Sequence, residues 1–191
     1  SNTEDTTPPE VEIKETKAGT NNIEITVNAI DNESGISKYK YSLSLKDFRE
    51  SDFQDTDILS TIETYGNTNV FQGLTQNQPY YIKIEVTNGT GKTQTIYTEK
   101  IMTEILDVQK GAIVQEKVWG KEGEGKAYYE ISEETNFENE GYYIQYQIDK
   151  GGQTGYQENG EWTQGQTVQG LSDGDKIYTR IYDGVNATPY Y

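Results

Sequence analysis

Apolar residues recur at every second position in short runs, and this alternation constrains the fold of the chain more than any other feature. The clearest runs are residues 23–29 and 80–86, where Ile, Val and Tyr recur at alternate positions. Residues 39–43, 142–148 and 177–181 repeat the rhythm. A strand with one buried and one solvated face has this period of two, whereas a helix has a period of about 3.6. The sequence therefore predicts an all-β fold.

Turn-forming segments and an internal repeat divide the chain. Clusters of small and polar residues at 31–35, 88–91 and 183–186 follow alternating runs. The tripeptide Gln-Gly-Leu occurs at 72–74 and again at 169–171, each time shortly before an alternating run. A β-sandwich module needs roughly 100 residues, so the chain has room for two. We therefore expect two tandem immunoglobulin-like β-sandwiches.

The same features give the expected boundaries. Residues 1–9 are polar and end in two prolines, so they are predicted to form a flexible lead-in. The first sandwich is expected over residues 10–104 and the second over residues 105–191. Five residues follow the turn at 183–186, and Pro189 among them cannot donate a ladder hydrogen bond. The second sandwich is therefore expected to lack a complete last strand, and the chain to be part of a longer protein.

Residues 8–104 resemble a fibronectin type III domain of the kind found in bacterial surface proteins. Leu74 precedes Tyr80 by six residues, and the aliphatic residues Ile82 and Ile84 follow in alternation, as around the "tyrosine corner" of that family. Residues 29–43 are similar to a phrase common in bacterial repeats of this type. The resemblance implies structural roles for Leu74 and Tyr80. Residues 105–191 resemble a divergent immunoglobulin-like module.

Composition excludes several kinds of chemistry. The chain contains no His and no Cys, which removes His-dependent nucleophile systems, thiolates and the commonest transition-metal ligands. Its 32 acidic and 16 basic side chains give a formal charge of −16, which argues against nucleic acid and anionic membrane surfaces as partners. No apolar run of about 20 residues is present to enter a bilayer. We expect no catalysis and no cofactor.

Two acidic turns are candidates for calcium. Asp31, Asn32 and Glu33 lie in one, and Asp173 and Asp175 in the other. Calcium binds six to eight oxygen ligands from such side chains and from carbonyl groups. Both stretches are also ordinary turn sequences, since Asp and Asn bond to nearby backbone groups. We expect no dedicated metal site.

Aromatic residues concentrated in the second half are candidates for binding a glycan. They include Trp119, Trp162 and Tyr143. In an adjacent pair such as Tyr142-Tyr143, strand alternation places one ring inside and the other outside. A row of exposed rings would suit stacking on sugars, whereas outward Tyr residues also stabilise sheets by cross-strand contacts alone.

These observations lead to a functional expectation. The chain is interpreted as a non-catalytic binding or spacer module, extracellular or at the cell surface, in a bacterial surface or secreted protein involved in adhesion or display. Its partner would be an unknown protein or glycan. The alternative is a carbohydrate-binding accessory module of a secreted enzyme.

Overall fold

The computed structural model describes residues 5–106, 113–115, 122–131 and 141–191. The chain divides into two compact units, Ser1–Glu104 and Ile105–Tyr191. Within the described residues the helical elements are two single 3-10 turns, at Asp55–Asp57 and Lys150–Gly152, and the regular structure is otherwise strand. The prediction of an all-β fold is confirmed.

Eight strands build the first unit. They are β1 (Glu10–Ala18), β2 (Asn22–Ile30), β3 (Ile36–Ser44), β4 (Ile58–Thr64), β5 (Thr68–Gln72), β6 (Pro79–Asn88), β7 (Thr93–Tyr97) and β8 (Ile101–Met102). One antiparallel sheet has the order β1-β2-β5, and the other has the order β4-β3-β6-β7, with β8 also beside β6. This three-against-four strand order is that of a fibronectin type III sandwich.

The core of the first unit follows from the alternation in the sequence. Along β6 every second residue from Tyr80 to Asn88 is buried, and the residues between them are half-buried. Ile25 and Val27 on β2 are fully buried. Buried side chains from both sheets form one cluster: Ile23, Ile25, Val27, Tyr39, Tyr41, Leu43, Phe71, Leu74, Tyr80, Ile82, Ile84 and Val86.

Residues 5–9 lie against the first unit, which differs from the flexible lead-in expected over residues 1–9. The Asp5 side chain is buried and accepts a hydrogen bond of 2.6 Å from the Ser34 hydroxyl. The Nδ2 group of Asn88 lies 2.8 Å from the Thr7 carbonyl oxygen and 3.2 Å from Asp5 Oδ2. Pro9 is also buried. These hydrogen bonds hold a polar segment whose composition alone indicated a linker.

Six strands build the second unit. They are β9 (Ile113–Gln115), β10 (Gly125–Ile131), β11 (Tyr143–Asp149), β12 (Thr163–Gln164), β13 (Thr167–Leu171) and β14 (Lys176–Tyr182). The antiparallel sheets have the orders β13-β10-β9 and β12-β11-β14. They match β5-β2-β1 and β4-β3-β6 of the first unit, strand for strand. Its smaller buried cluster consists of Ala127, Tyr129, Ile144, Val168 and Leu171.

Residues 187–191 run antiparallel beside β14, in the position that β7 and β8 occupy beside β6. Tyr182 is bridged to Ala187, and the backbone groups of Thr179 and Tyr191 exchange two hydrogen bonds of 3.0 and 2.7 Å. This segment of five residues forms an isolated bridge and no regular strand. It nevertheless covers the edge of β14 as far as Thr179.

A threonine interrupts the last strand of each unit in the same way. The Ile82 N–H donates to the Thr98 hydroxyl at 2.9 Å, while the Thr98 N–H donates to the Ile82 carbonyl at 2.9 Å. Thr188 and Ile181 repeat both bonds, each at 2.9 Å. In each unit the side chain therefore accepts the bond that a backbone carbonyl would accept in a regular ladder. This shared irregularity supports the interpretation of the two halves as divergent repeats.

Candidate binding surface

The two residues expected to be structural lie in the first core. Leu74 and Tyr80 are buried, and the Thr75 N–H donates a hydrogen bond of 2.9 Å to the Tyr80 hydroxyl oxygen. A buried phenol needs a hydrogen-bonding partner, and the chain just after Leu74 supplies it.

The first calcium candidate is organised by internal hydrogen bonds. Asp31 Oδ1 accepts the backbone N–H groups of Glu33 and Ser34 at 3.1 and 3.0 Å, and Asp31 Oδ2 accepts Asn88 Nδ2 at 3.0 Å. Asn32 and Glu33 are exposed. The amide of Asn88 thus lies between Asp31 and Asp5, where it offsets their charges by donating hydrogen bonds.

Hydrogen bonds and repulsion move the acidic pKa values here in opposite directions. The Ser34 hydroxyl and the Thr7 N–H hold the pKa of Asp5 down to about 2. The negative charge of Asp5, with some desolvation, raises the pKa of Glu33. Among the residues that the structure describes, no group of three or more acidic, His or Cys side chains is arranged to hold a metal ion.

The second calcium candidate separates into two different residues. Asp173 is exposed, whereas Asp175 accepts the backbone N–H groups of Gly151 and Ser172 and the Nζ group of Lys150, at 2.8, 2.9 and 2.9 Å. These three donors hold the pKa of Asp175 down to about 2. Asp175 therefore joins the 150–152 turn to the turn that precedes β14.

The low pKa of Asp175 predicts acid sensitivity of the second unit. An unfolded Asp has a pKa of about 3.9. A lowered folded-state pKa stabilises the unit above that pH, and the contribution is lost as the pH falls from about 4 towards 2. We expect Asp175→Asn to be less stable than the native chain at pH 7 and to lose less stability on acidification.

Urea unfolding at pH 7, 4, 3 and 2, followed by tryptophan fluorescence, checks this expectation. Both Trp residues lie in the second half of the chain, so this readout reports on the second unit. Asp173→Asn is the control because Asp173 is exposed in the same turn. If the unfolding free energies of Asp175→Asn and of the native chain fell in parallel with pH, the stabilising role assigned to the Asp175 carboxylate would be contradicted.

The glycan candidates have three different outcomes. Trp119 lies outside the described residues. Tyr143 is exposed on β11 and pairs across the sheet with Tyr182 on β14. Trp162 is half-buried just before β12, and its indole N–H is buried without an acceptor in the described part of the chain.

Trp162 belongs to a cluster of rings on one face of the second unit. Tyr156 stacks on Tyr190 with ring centres 3.8 Å apart, and Tyr178 contacts both edge-on at 5.7 and 5.4 Å. The Trp162 ring lies 6.0 Å from that of Tyr156. Arg180 lies over Trp162, with its guanidinium carbon 4.1 Å from the ring centre. We call these five residues the aromatic surface.

A loop carries Tyr156 to this face and is fixed by two side chains of β11. Gln147 exchanges hydrogen bonds of 3.1 and 2.8 Å with the backbone of Gln157. Asp149 accepts the N–H groups of Thr154 and Gly155 at 3.3 and 2.7 Å. These bonds hold the loop over the sheet on both sides of Tyr156.

Sequence reasoning missed most of the aromatic surface. Tyr178 and Arg180 alternate with the inward residues Thr179 and Ile181, so the alternation of β14 could have placed them on one outer face. No comparable pattern marks Tyr156, because it lies in an irregular loop. Its position depends on the Gln147 and Asp149 bonds.

Two of the depressions on the described surface differ in their acidic residues. One of about 550 Å³ on the first unit is lined by ten residues that include no carboxylate. Another of about 340 Å³ on the second unit includes Asp149 and Glu161. Asp149 is engaged by two backbone donors, so its oxygens are already used to hold the loop.

In the part of the chain that the structure describes, no helix is long and apolar enough to span a bilayer.

Comparison with known proteins adds structural neighbours but no relatives by sequence. No family model matches the chain, and no curated protein matches it. The FN1–FN3 domains of chicken CNTN1 are 19% identical, with a TM-score of 0.34, over 96% of this chain and 64% of theirs. A human FNIII domain is 14% identical, with a TM-score of 0.37, over 56% of this chain and 92% of its own. The assignment of a fibronectin type III-like fold rests on the strand order.

Proposed function

We propose that this chain is a non-catalytic module of a bacterial cell-surface or secreted protein, outside the cell, and that it binds a ligand through the aromatic surface. The observation that carries the proposal is Arg180. It lies over the Trp162 ring, and no carboxylate in the described residues lies within ion-pair distance of it. In a chain of charge −16, an arginine without a carboxylate partner on a ring cluster is an unusual arrangement.

The absence of catalysis is proposed from how the acidic groups are used. Asp5, Asp31, Asp149 and Asp175 each accept hydrogen bonds that fix a turn or a segment of the chain. Because the chain has no His or Cys, hydrolysis would need a pair of carboxylates that flank a substrate cleft. The four aspartates named above stabilise turns and chain segments instead.

A carbohydrate-binding accessory module of a secreted enzyme is the second candidate. The ring cluster favours it, because aromatic faces pack against the apolar face of a sugar ring. The two candidates share one binding surface and differ in the protein to which the module belongs. The neighbouring domains of the parent protein would distinguish them.

The proposal is tested with a glycan and matrix-protein array probed with the intact chain, with and without calcium. We expect at least one ligand to bind with an affinity that does not depend on calcium. Its affinity should fall about tenfold or more in Tyr190→Ser. Tyr190 is 48% exposed within the cluster. Tyr65→Ser is the control, because Tyr65 is 88% exposed on the first unit. Equal loss in both variants, or no bound ligand, would contradict the proposal.

A further inference from the structure

The environment of Arg180 can be compared with that of the other arginine in the chain. Arg49 donates through Nε and Nη2 to Asp47, and through Nη1 and Nη2 to Glu99, at 3.1 to 3.2 Å. Its pKa is raised by these carboxylates. Of the two arginines in the chain, Arg49 is thus paired with two carboxylates.

Arg180 has a different environment. Its Nε donates to Gln145 Oε1 at 2.7 Å, which orients the guanidinium group over Trp162. No described residue accepts a hydrogen bond from its two Nη groups. Burial lowers the pKa of Arg180, and the phenol groups of Tyr156 and Tyr182 act in the opposite direction. Its charge is therefore partly removed from water without a compensating anion.

These features favour the binding of an anion by the Arg180 guanidinium group. A guanidinium group presents paired N–H donors whose geometry matches a carboxylate, and partial desolvation strengthens such a bond. The Gln145 bond and the Trp162 ring fix the side chain before a ligand arrives, which reduces the entropy lost on binding.

The rings beside Arg180 specify the rest of the ligand. Tyr156, Tyr178 and Tyr190 contact one another within a single cluster next to the guanidinium group. Aromatic faces bind flat apolar surfaces, and the C–H face of a pyranose ring is one. A run of glutamate residues offers carboxylates without such a face, so the observations favour a sugar acid over a purely acidic peptide.

We infer that the aromatic surface binds a carboxylated saccharide, with the Nη groups of Arg180 paired to the sugar carboxylate and the adjacent rings packed against the sugar. This inference rests on the proposed function and names the class of its ligand. It requires a uronic acid residue or a comparable sugar acid, and it excludes a purely neutral glycan.

The test uses the intact chain at pH 7 with three probes in isothermal titration calorimetry. The probes are an oligogalacturonate, its fully methyl-esterified form and an oligoglutamate peptide. We expect the oligogalacturonate to bind at least tenfold more tightly than either of the other probes, because esterification removes the carboxylate charge but keeps the ring. This comparison needs no variant and does not depend on how a substitution affects folding.

Variants then assign the effect to Arg180. Arg180→Gln is expected to weaken oligogalacturonate binding tenfold or more, and Arg180→Lys to lose part of it, since lysine keeps the charge without the paired donors. Arg49→Gln is the matched control and is expected to bind as the native chain does. Far-UV circular dichroism and thermal unfolding confirm that the variants remain folded.

The outcomes separate the inference from the proposed function. Tighter binding of the ester or of oligoglutamate, or full binding by folded Arg180→Gln, overturns the inference. So does a failure of the oligogalacturonate to bind. If the array still yields a ligand that depends on Tyr190, the proposed function stands without this ligand class. If it yields none, both fail.

Discussion

Replacing Asn88 with Asp is expected to cost the first unit about 3 kcal/mol of unfolding free energy at pH 7. Asn88 is fully buried, and its Nδ2 group lies within hydrogen-bond distance of Asp5 Oδ2, Asp31 Oδ2 and the Thr7 carbonyl oxygen. The substitution removes these donors and adds a third negative charge beside two carboxylates. Hydrogen-exchange mass spectrometry of β6 and of residues 5–9 measures the effect.

The control for this prediction is Asn32→Asp, which makes the same chemical change at an exposed position of the 31–35 turn. Its effect is expected to stay within about 0.5 kcal/mol. The cost of Asn88→Asp should also shrink as the pH falls, because repulsion from the Asp5 and Asp31 carboxylates favours protonation of the introduced carboxyl, which can then donate. Equal stability of the two variants at pH 7 would show that Asn88 does not hold residues 5–9 in place.

Replacing Thr98 or Thr188 with Val is expected to destabilise its own unit by about 1–3 kcal/mol. Val keeps the branched shape, but it removes the oxygen that accepts the Ile82 N–H in one unit and the Ile181 N–H in the other. Each of these N–H groups is then left buried and unsatisfied. Faster hydrogen exchange should appear in β6 for Thr98→Val and in β14 for Thr188→Val.

Thr26→Val provides the control for both threonine variants. Its hydroxyl bonds to that of Thr68 on the surface, so its loss should change stability by no more than about 0.5 kcal/mol. The threonine variants also test the internal repeat. A large cost for one of them and none for the other would contradict the equivalent roles assigned to Thr98 and Thr188.

The strands that sequence reasoning found share one property. In β2, β6 and β14 the inward positions are filled largely by aliphatic or aromatic residues, so the buried face appears in the sequence as alternation. Strands β2 and β6 have a strand on each side, and β14 lies between β11 and residues 187–191. Packing on the core face therefore selects apolar residues at regular intervals.

The strand β4 shows why the rest was harder to predict. It is an edge strand, and its half-buried positions are Ile58, Ser60, Ile62 and Thr64, only two of which are apolar. A partly solvated edge accepts polar residues on its inner face. The stretch before it is irregular, and its apolar residues have no regular spacing. Phe48 and Phe53 lie in this stretch, and their ring centres are 4.6 Å apart.

Long-range hydrogen bonds account for the remaining differences. Asp5 and Asn88 are separated by more than eighty residues, and neither residue alone predicts the other. Tyr156 similarly joins Trp162 and Tyr190 through a loop that β11 holds in place. Sequence patterns indicate faces of strands, whereas these contacts depend on where loops and termini cross the sheets.

The central claim is that the aromatic surface of the second unit is the ligand-binding site. Hydrogen-exchange mass spectrometry of the intact chain, with and without a saturating ligand chosen by the array, tests this claim most directly. The account predicts slower exchange in residues 143–147, 154–164 and 176–191, and unchanged exchange in residues 10–104. Protection confined to residues 10–104, or protection of the second unit that is undiminished in Tyr190→Ser at the same subsaturating ligand concentration, would contradict it.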